Sequence, residues 1–269
     1  MNEIDPKYQK AYNLCEKYCF DHENPLLAIK NAAFFPEGYD AYGLSETEIV
    51  ELRDLILNEC GFSVPELAEF GKMLLASGKY ELGSAAIMVL KKHRPRLDRS
   101  VYEAVKYDLD NYVENWAHCD LLCTKITPVF LELNIADLED FRSWRESKSK
   151  WTRRAAAVTM LYLRDKEEPQ LLLDYIEPMM REPEKVAQQG IGWFLRELWK
   201  LHPQVVEEFL FAHRDDAPLL LMQHATDKMN KDLQYRLRRA VVNKSKPKPK
   251  HKKPFNNKKR YHSKEGKNA

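Results

Sequence analysis

The feature that most constrains the fold of this chain is a repeat of 35 residues. Four segments begin at Glu81, Trp116, Trp151 and Val186, and they read ELGSAAIMVLKKHRP, WAHCDLLCTKITPVF, WTRRAAAVTMLYLRD and VAQQGIGWFLRELWK. A period of roughly 35 to 45 residues is typical of helical solenoids, in which each pair of helices buries its apolar face against its neighbours. The repeat therefore predicts an all-α solenoid for the body of the chain.

Helix signals also occur outside the four segments. SETEIVELRDLILNEC places Ser45 and Glu48 at the spacing of a capping box, and its apolar residues recur at helical intervals. SVPELAEFGKMLLAS, EPQLLLDYIEPMM and HPQVVEEFLFAH each carry a proline where a first helical turn accepts one. Strand signals are scarce, since the chain has only nine glycines and no long β-branched alternating run. These signals favour helix throughout.

The charge of the chain is divided between two regions. Residues 244–269 carry ten lysines and one arginine against Glu265, a net +10, so the first 243 residues carry −8 of the total +2. Proline recurs in this lysine-rich stretch and large apolar residues are rare, which predicts disorder. We therefore expect a helical-repeat domain over 1–243 and a disordered tail over 244–269. The tail suits nonspecific attraction to nucleic acid, and the alternative is a solubilising tail.

Cysteine use and apolar runs indicate a cytoplasmic protein. Five cysteines without a disulfide-like spacing fit reduced thiols, and no apolar run reaches the roughly 18 residues of a membrane span. The motif HCDLLC suggests a metal site, but Cys119 and Cys123 would share one helix face while His118 points about 100° away. No second ligand pair and no cofactor-binding motif accompany it, so we expect neither a metal nor a cofactor.

Asp120 is the first residue that indicates chemistry. The same position in the other repeats is held by small residues, namely Ala85, Ala155 and Gly190. A carboxylate buried there without a partner would be costly, so Asp120 is expected to face a cavity, a binding partner or a ligand. The alternative is a structural salt bridge to Arg153 or Arg154, one repeat further along the chain.

Three motifs, NWAHCD, WTRRAAAV and GIGWFLRELWKLHP, together resemble the HEAT-like repeat DNA glycosylases of bacterial alkylation repair, the AlkD type. The resemblance extends from about Tyr80 to Leu210, is looser before that, and leaves the basic tail outside. It implies a concave, positively lined solenoid that wraps alkylated duplex DNA, and we expect the chain to act as a monomer. It also implies excision of N3- or N7-alkylated purines, such as 3-methyladenine and 7-methylguanine, without flipping the base.

The resemblance also implies roles for four residues. The catalytic aspartate of the family matches Asp120, its two functional tryptophans match Trp116 and Trp193, and its arginine matches Arg154. A cationic purine leaves without protonation, so one carboxylate would suffice where ordinary glycoside hydrolases employ two. Indole faces would attract the developing cationic sugar, and a guanidinium would hold a backbone phosphate.

Further DNA contacts are expected around the start of the third repeat. Lys148, Lys150 and Arg153 belong to a basic stretch there, and Arg196 is a weaker candidate that is alternatively paired with Glu197. The remaining tryptophans are interpreted as packing residues, namely Trp144, Trp151 and Trp199. The competing interpretation of the whole chain is a non-catalytic HEAT-repeat protein that binds DNA or a protein partner.

Overall fold

A computed structural model describes residues 5–238 of the chain. These residues form fourteen α-helices and four short 3₁₀ helices, and they contain no strand. The all-α class predicted from the sequence is confirmed. The predicted tail, residues 244–269, lies outside the described residues.

The helices follow one another with short connections. Their bounds are α1 Pro6–Asp21, α2 Pro25–Ala32, α3 Glu46–Glu59, α4 Val64–Ala76, α5 Tyr80–Lys92, α6 Arg99–Asn111, α7 Trp116–Lys125, α8 Thr127–Glu132, α9 Lys150–Thr159, α10 Pro169–Ile176, α11 Lys185–Trp199, α12 Pro203–His213, α13 Leu219–Thr226 and α14 Lys231–Arg236. The 3₁₀ helices span Arg94–Arg96, Asp140–Glu146, Met160–Tyr162 and Glu177–Met179.

The predicted capping signals begin helices as expected. Ser45 and Glu48 form a complete capping box at the start of α3, in which each side chain bonds the backbone N–H of the other residue. Proline occupies the first turn of α4, α10 and α12, where its missing N–H costs no helical hydrogen bond. Local sequence therefore determines where these helices begin.

The helices pack as two rows. In the first row, α3, α5, α7, α9, α11 and α13 contact one another in succession, and in the second, α4 contacts α6, α6 contacts α8, and α10 contacts α12. The four repeat segments begin at the first or second residue of α5, α7, α9 and α11. The 35-residue period thus corresponds to successive helices of one row, which confirms the predicted solenoid.

Small residues let the helices of this row approach closely. Ala85 and Ala155 are fully buried, and a Cβ added to Gly192 on α11 would lie 2.5 Å from the Cβ of His224 on α13. Trp144 is also fully buried, and its indole N–H donates to the Tyr102 hydroxyl over 3.0 Å, which confirms its packing role. No helix among residues 5–238 is long and apolar enough to cross a membrane.

Candidate active site

A cleft of about 460 Å³ lies along the first row of helices. Helices α7, α9, α11 and α13 line it together with residues 34–38, called here the wall segment, which belong to the connection from α2 to α3. The full lining is Phe34, Phe35, Pro36, Glu37, Gly38, Asn115, Trp116, Trp151, Arg154, Val186, Gln189, Trp193, Arg196 and His224. Its volume falls within the range of about 300–1,000 Å³ that is common for ligand sites.

Trp116 and Trp193 both line this cleft. Trp116 is the first residue of α7, where the side chain of Asn115 caps the helix, and 40% of its surface is exposed. Its indole N–H donates to the carbonyl oxygen of Phe34 over 3.0 Å, and its ring stacks on Phe35 with centroids 5.4 Å apart. The wall segment therefore fixes the orientation of Trp116.

Arg154 joins the cleft to Asp120 through a bidentate salt bridge. Its Nε donates to Oδ1 and its Nη2 to Oδ2, both over 2.8 Å, while Nη1 donates to the Val186 carbonyl over 2.6 Å. Burial disfavours the charged guanidinium, but the hydrogen bond and charge of Asp120 more than offset this and raise the pKa of Arg154. A Cβ at Gly190 would lie only 2.9 Å from the Arg154 Cγ, so glycine is what lets this side chain pass.

Asp120 itself lies beside this arginine. Arg154 lines the cleft and Asp120 does not, although 16% of the Asp120 side chain remains exposed. Of the two sequence-based alternatives, the salt bridge to the next repeat is therefore present, and Arg154 is its partner. The predicted phosphate contact of Arg154 has to compete with this carboxylate, because one guanidinium edge already holds it.

Arg153, which was predicted as a DNA contact, forms hydrogen bonds within the protein. Its guanidinium bonds both carboxylate oxygens of Glu182 over 2.8 and 2.9 Å and also donates to the carbonyls of Ser147 and Lys148. Only 4% of the Glu182 side chain is exposed. Arg153 is absent from the lining of the cleft and is a structural residue, because its N–H groups already fasten the start of α9.

Lys148 and Lys150 line a second depression beside the cleft, called here the side groove, of about 780 Å³. Glu37 and Trp151 line both the cleft and the side groove. The Lys150 ammonium lies 2.5 Å from a carboxylate oxygen of Glu37 and 5.4 Å from the centre of the Trp151 ring. The two lysines therefore lie beside the cleft, together with three carboxylates that line the same groove.

Arg196 is paired with Glu197, one of the two alternatives considered from the sequence. It lines the cleft, and its guanidinium also lies 3.3 Å from Glu197 and 3.7 Å from Asp227. Nε contacts Glu197 and Nη1 contacts Asp227, which leaves the N–H groups of Nη2 for a ligand. Arg196 therefore stays a candidate DNA contact.

Sequence reasoning missed the wall segment and His224. Phe34, Phe35 and Glu37 lie in NAAFFPEGYD, where the clustered aromatics without helical spacing were a signal of a special role. His224 gave no signal, since it lies in an ordinary helix. Burial first, then the charges of Arg196 and Arg154, lower the pKa of His224 and favour its neutral form in the cleft.

The HCDLLC motif is part of the packing between helices. The Cys119 thiol donates to the Trp151 carbonyl over 3.4 Å, and burial raises its pKa well above the ordinary value. Burial likewise lowers the pKa of His118 to about 4, and this ring lies 3.2 Å from the Ser84 hydroxyl. Residues 5–238 contain no group of three or more metal-ligating side chains that could hold an ion.

Similarity to known proteins extends over most of the chain. A family model described as DNA alkylation repair enzyme matches residues 20–229. The chain belongs to this family. Its role is therefore in the repair of alkylated DNA, and the resemblance drawn from the three motifs is confirmed. The matched range includes the wall segment and excludes the basic tail.

Two solved structures share the fold. One is a predicted DNA alkylation repair enzyme from Enterococcus faecalis, 22% identical, with a TM-score of 0.67 over 78% of this chain and 98% of the other. The second is smu.31 from Streptococcus mutans UA159, 14% identical, with a TM-score of 0.52 over 86% of this chain and 96% of the other. At these identities the likeness shows the fold alone. No curated protein matches the chain.

Proposed function

We propose that this member of the DNA alkylation repair enzyme family is a monofunctional DNA glycosylase. It hydrolyses the N-glycosidic bond of N3- and N7-alkylated purines, such as 3-methyladenine and 7-methylguanine, in duplex DNA, and so begins base excision repair. The observation that carries the proposal is one arrangement: two tryptophans and Arg154 line the same cleft, and Arg154 holds the Asp120 carboxylate in a bidentate grip.

The chemistry needs little more than this arrangement. An alkylated purine with a positive charge departs as a neutral base, so no acid has to protonate the leaving group. Asp120 stabilises the oxocarbenium-like sugar and orients the attacking water, and Trp116 and Trp193 offer their indole faces to the same developing charge. Arg154 holds Asp120 in position. It also faces the cleft, where a backbone phosphate binds the N–H groups that are not bonded to Asp120 or to the Val186 carbonyl.

The duplex is held next to the cleft by contacts with its backbone. Lys148 and Lys150 in the side groove and Arg196 in the cleft provide the positive charge in this proposal. Such contacts position DNA without reading its sequence, as a repair enzyme that meets lesions in any context requires. The basic tail, 244–269, adds a salt-sensitive attraction to any nucleic acid.

Base release from alkylated DNA tests the proposal. The full chain is incubated with methylated duplex DNA, and the released bases are resolved by chromatography. We expect 3-methyladenine and 7-methylguanine to appear, with abasic sites left in unbroken strands. Release of neither base, together with normal binding to unmodified duplex, would instead support a non-catalytic HEAT-repeat protein that binds DNA or a protein partner.

Two further features belong to the same proposal and have their own measurements. The lesion stays stacked in the duplex, so 2-aminopurine next to it keeps its quenched fluorescence when the protein binds, whereas a flipped base would relieve the quenching. The protein acts as a cytoplasmic monomer, so light scattering should give the mass of a single chain, 31.6 kDa.

A further inference from the structure

Glu37 is the one carboxylate among the described residues that line the cleft. It lies on the wall segment, and Trp193, Arg196 and His224 line the same cleft. Asp120, by contrast, is outside this lining. An acidic group is unexpected on a surface that binds DNA, because it repels phosphates. Its position calls for a positively charged ligand.

Aromatic rings surround the same space. The lining includes Phe34, Phe35, Trp116, Trp151 and Trp193. Aromatic faces together with a carboxylate form the usual environment for an organic cation, because both the ring quadrupole and the negative charge attract it. An alkylated purine of the class in the proposed function is such a cation, and an undamaged base is neutral.

The contacts of the wall segment keep Glu37 in place. The Glu81 carboxylate, which is fully buried, accepts backbone N–H bonds from Tyr42, Gly43 and Leu44 over 2.7 to 3.1 Å. The carbonyl of Phe34 accepts the Trp116 indole N–H at the other end. These contacts attach the connection to the first row of helices on both sides of Glu37 in the chain.

The present partner of Glu37 is Lys150, at 2.5 Å. About a third of each side chain is exposed, 35% for Glu37 and 34% for Lys150, so water and ions reach the pair. Such partly exposed pairs contribute little to stability and exchange partners at low cost. Lys150 also lines the side groove, where a DNA phosphate would be its new partner.

We propose that Glu37 recognises the positive charge of the alkylated purine, and that DNA binding makes it available by drawing Lys150 to a phosphate. With a lesion stacked in the duplex and its charged edge facing the cleft, both members of the pair gain new partners of opposite charge. With an undamaged base, Lys150 gains a phosphate while Glu37 loses its cation. The exchange therefore favours damaged over undamaged duplex. This inference rests on the proposed function, since it concerns the substrate of the same cleft.

A pair of matched duplexes tests the proposal without relying on turnover. One carries 7-methylguanine on a 2′-fluoroarabino sugar, which keeps the cation and resists cleavage. The other carries 7-deaza-7-methylguanine, which has the same shape and no charge, on the same 2′-fluoroarabino sugar. Dissociation constants of the full chain for both are measured by fluorescence anisotropy. The ratio of the two constants reports recognition of charge alone.

We expect the wild-type protein to prefer the cationic duplex. Glu37→Gln should reduce that preference by about five- to tenfold, as loss of one partly exposed ionic contact predicts, through weaker binding of the cationic duplex. Lys150→Gln should weaken binding of both duplexes by the same factor and so keep the ratio of the two dissociation constants. Asp40→Asn is the matched control, because Asp40 lies in the same connection and pairs with Lys79 outside the cleft. It should leave the ratio unchanged.

Two results would overturn the proposal. In the first, the wild-type protein shows no preference for the cationic duplex. In the second, Glu37→Gln changes the dissociation constants of both duplexes by the same factor, which would mean that Glu37 only stabilises the wall segment. Failure of the proposed function is a separate result. A protein that releases no base but shows the expected ratios would recognise the cation without cleaving its bond.

Discussion

Arg153 and Arg154 are neighbours on α9, and each grips a carboxylate with two hydrogen bonds, yet they serve different parts of the molecule. Arg153 holds Glu182, and only 14% and 4% of their side chains are exposed. Arg154 holds Asp120, with 8% and 16% exposed, and it also lines the cleft. Successive helical residues point about 100° apart. That rotation separates a structural pair from the pair at the candidate site.

The surroundings of the two carboxylates sharpen the difference. Glu182 also accepts the Glu184 backbone N–H over 3.0 Å, and its own carbonyl receives the Gln188 side chain over 2.8 Å, so its pair closes a turn before α11. Asp120 has one partner with two bonds, beside a cleft large enough for a ligand. A buried ion pair is weak evidence for function by itself. The open space on one side is what distinguishes the second pair.

The largest expected difference in the rate of base release is between two variants, each of which removes one of these carboxylates. Asp120→Asn should lower the rate of base release by about 10²–10³-fold, the usual result of losing a preorganised electrostatic group. Glu182→Gln should leave release per folded molecule within about twofold, although both variants lose stability because each leaves a buried arginine unpaired. Release under single-turnover conditions, scaled by the folded fraction from circular dichroism, gives both values.

Stability effects are separated from catalysis by a double variant. Asp120→Asn combined with Arg154→Gln removes both charges, so much of the lost stability should return. Release should stay low in the double variant, because the carboxylate is still missing. Recovery of release together with stability would show that Asp120 acts only as the partner of Arg154.

A smaller effect is expected from the two tryptophans of α11. Trp193→Ala should lower release by about 30-fold at most, the equivalent of about 2 kcal/mol of lost cation–π attraction in a desolvated site. Trp199 is on the same helix, but its indole N–H donates to Glu207 over 3.0 Å and it is outside the cleft lining. Trp199→Ala should release bases at nearly the wild-type rate. Equal losses in the two variants would assign them to helix packing.

The position of Arg154 is tested by adding one carbon atom at Gly190. An alanine Cβ there would lie 2.9 Å from the Arg154 Cγ and 3.2 Å from the Val158 Cγ2, so the arginine has to shift. We expect release to fall about tenfold, because displacements of a fraction of an ångström near the chemistry are costly. Circular dichroism and release assays on Gly190→Ala measure stability and rate separately.

Gly71→Ala is the matched control for that substitution. Its added Cβ would lie 3.6 Å from the Ala86 Cβ, an ordinary contact, on the helix α4. It should keep the wild-type rate and gain up to about 1 kcal/mol of stability from the better helix propensity of alanine. A wild-type rate in Gly190→Ala as well would mean that release does not depend on where Arg154 lies.

The sequence predicted what local patterns control. The period placed α5, α7, α9 and α11 correctly, because helical repeats bury the same face in each unit. Asp120 stood out as an acid at a repeat position that small residues otherwise occupy. The motifs singled out the two tryptophans and Arg154, which line one cleft in the structure. The sequence could not separate Arg153 from Arg154 as DNA contacts, since only their partners in other helices distinguish them.

The wall segment shows why the rest of the site could not be predicted from the sequence. Glu37 pairs with Lys150, which is 113 residues away, and Trp116 bonds Phe34 across 82 residues. No spacing rule links residues that far apart. Glu81 did carry an unused signal, because it is an acid at the repeat position where Trp116 and Trp151 stand. In the structure it anchors residues 42–44 and thereby the connection that carries the wall segment.

Asp108 on α6 shows what happens to a buried carboxylate without an arginine, and it gives the prediction with the smallest effect on base release. It is 5% exposed, and its Oδ1 has no hydrogen-bond partner within residues 5–238. Burial raises its pKa from 3.8 to about 7, although the charge of Lys72 partly opposes this. The folded protein therefore binds the Asp108 proton more tightly than the unfolded chain does between about pH 4 and pH 7.

It follows that stability falls as the pH rises through this range, and that the full penalty of a buried, unpaired charge is present above pH 7. Asp108→Asn removes the charge, so the variant should be more stable than wild type by roughly 2–4 kcal/mol at pH 8 and nearly equal to it at pH 4. Urea unfolding at both pH values measures this, and release of bases should not change. A stability difference that is the same at both pH values would show that Asp108 keeps its ordinary pKa, and that a buried carboxylate here needs no arginine.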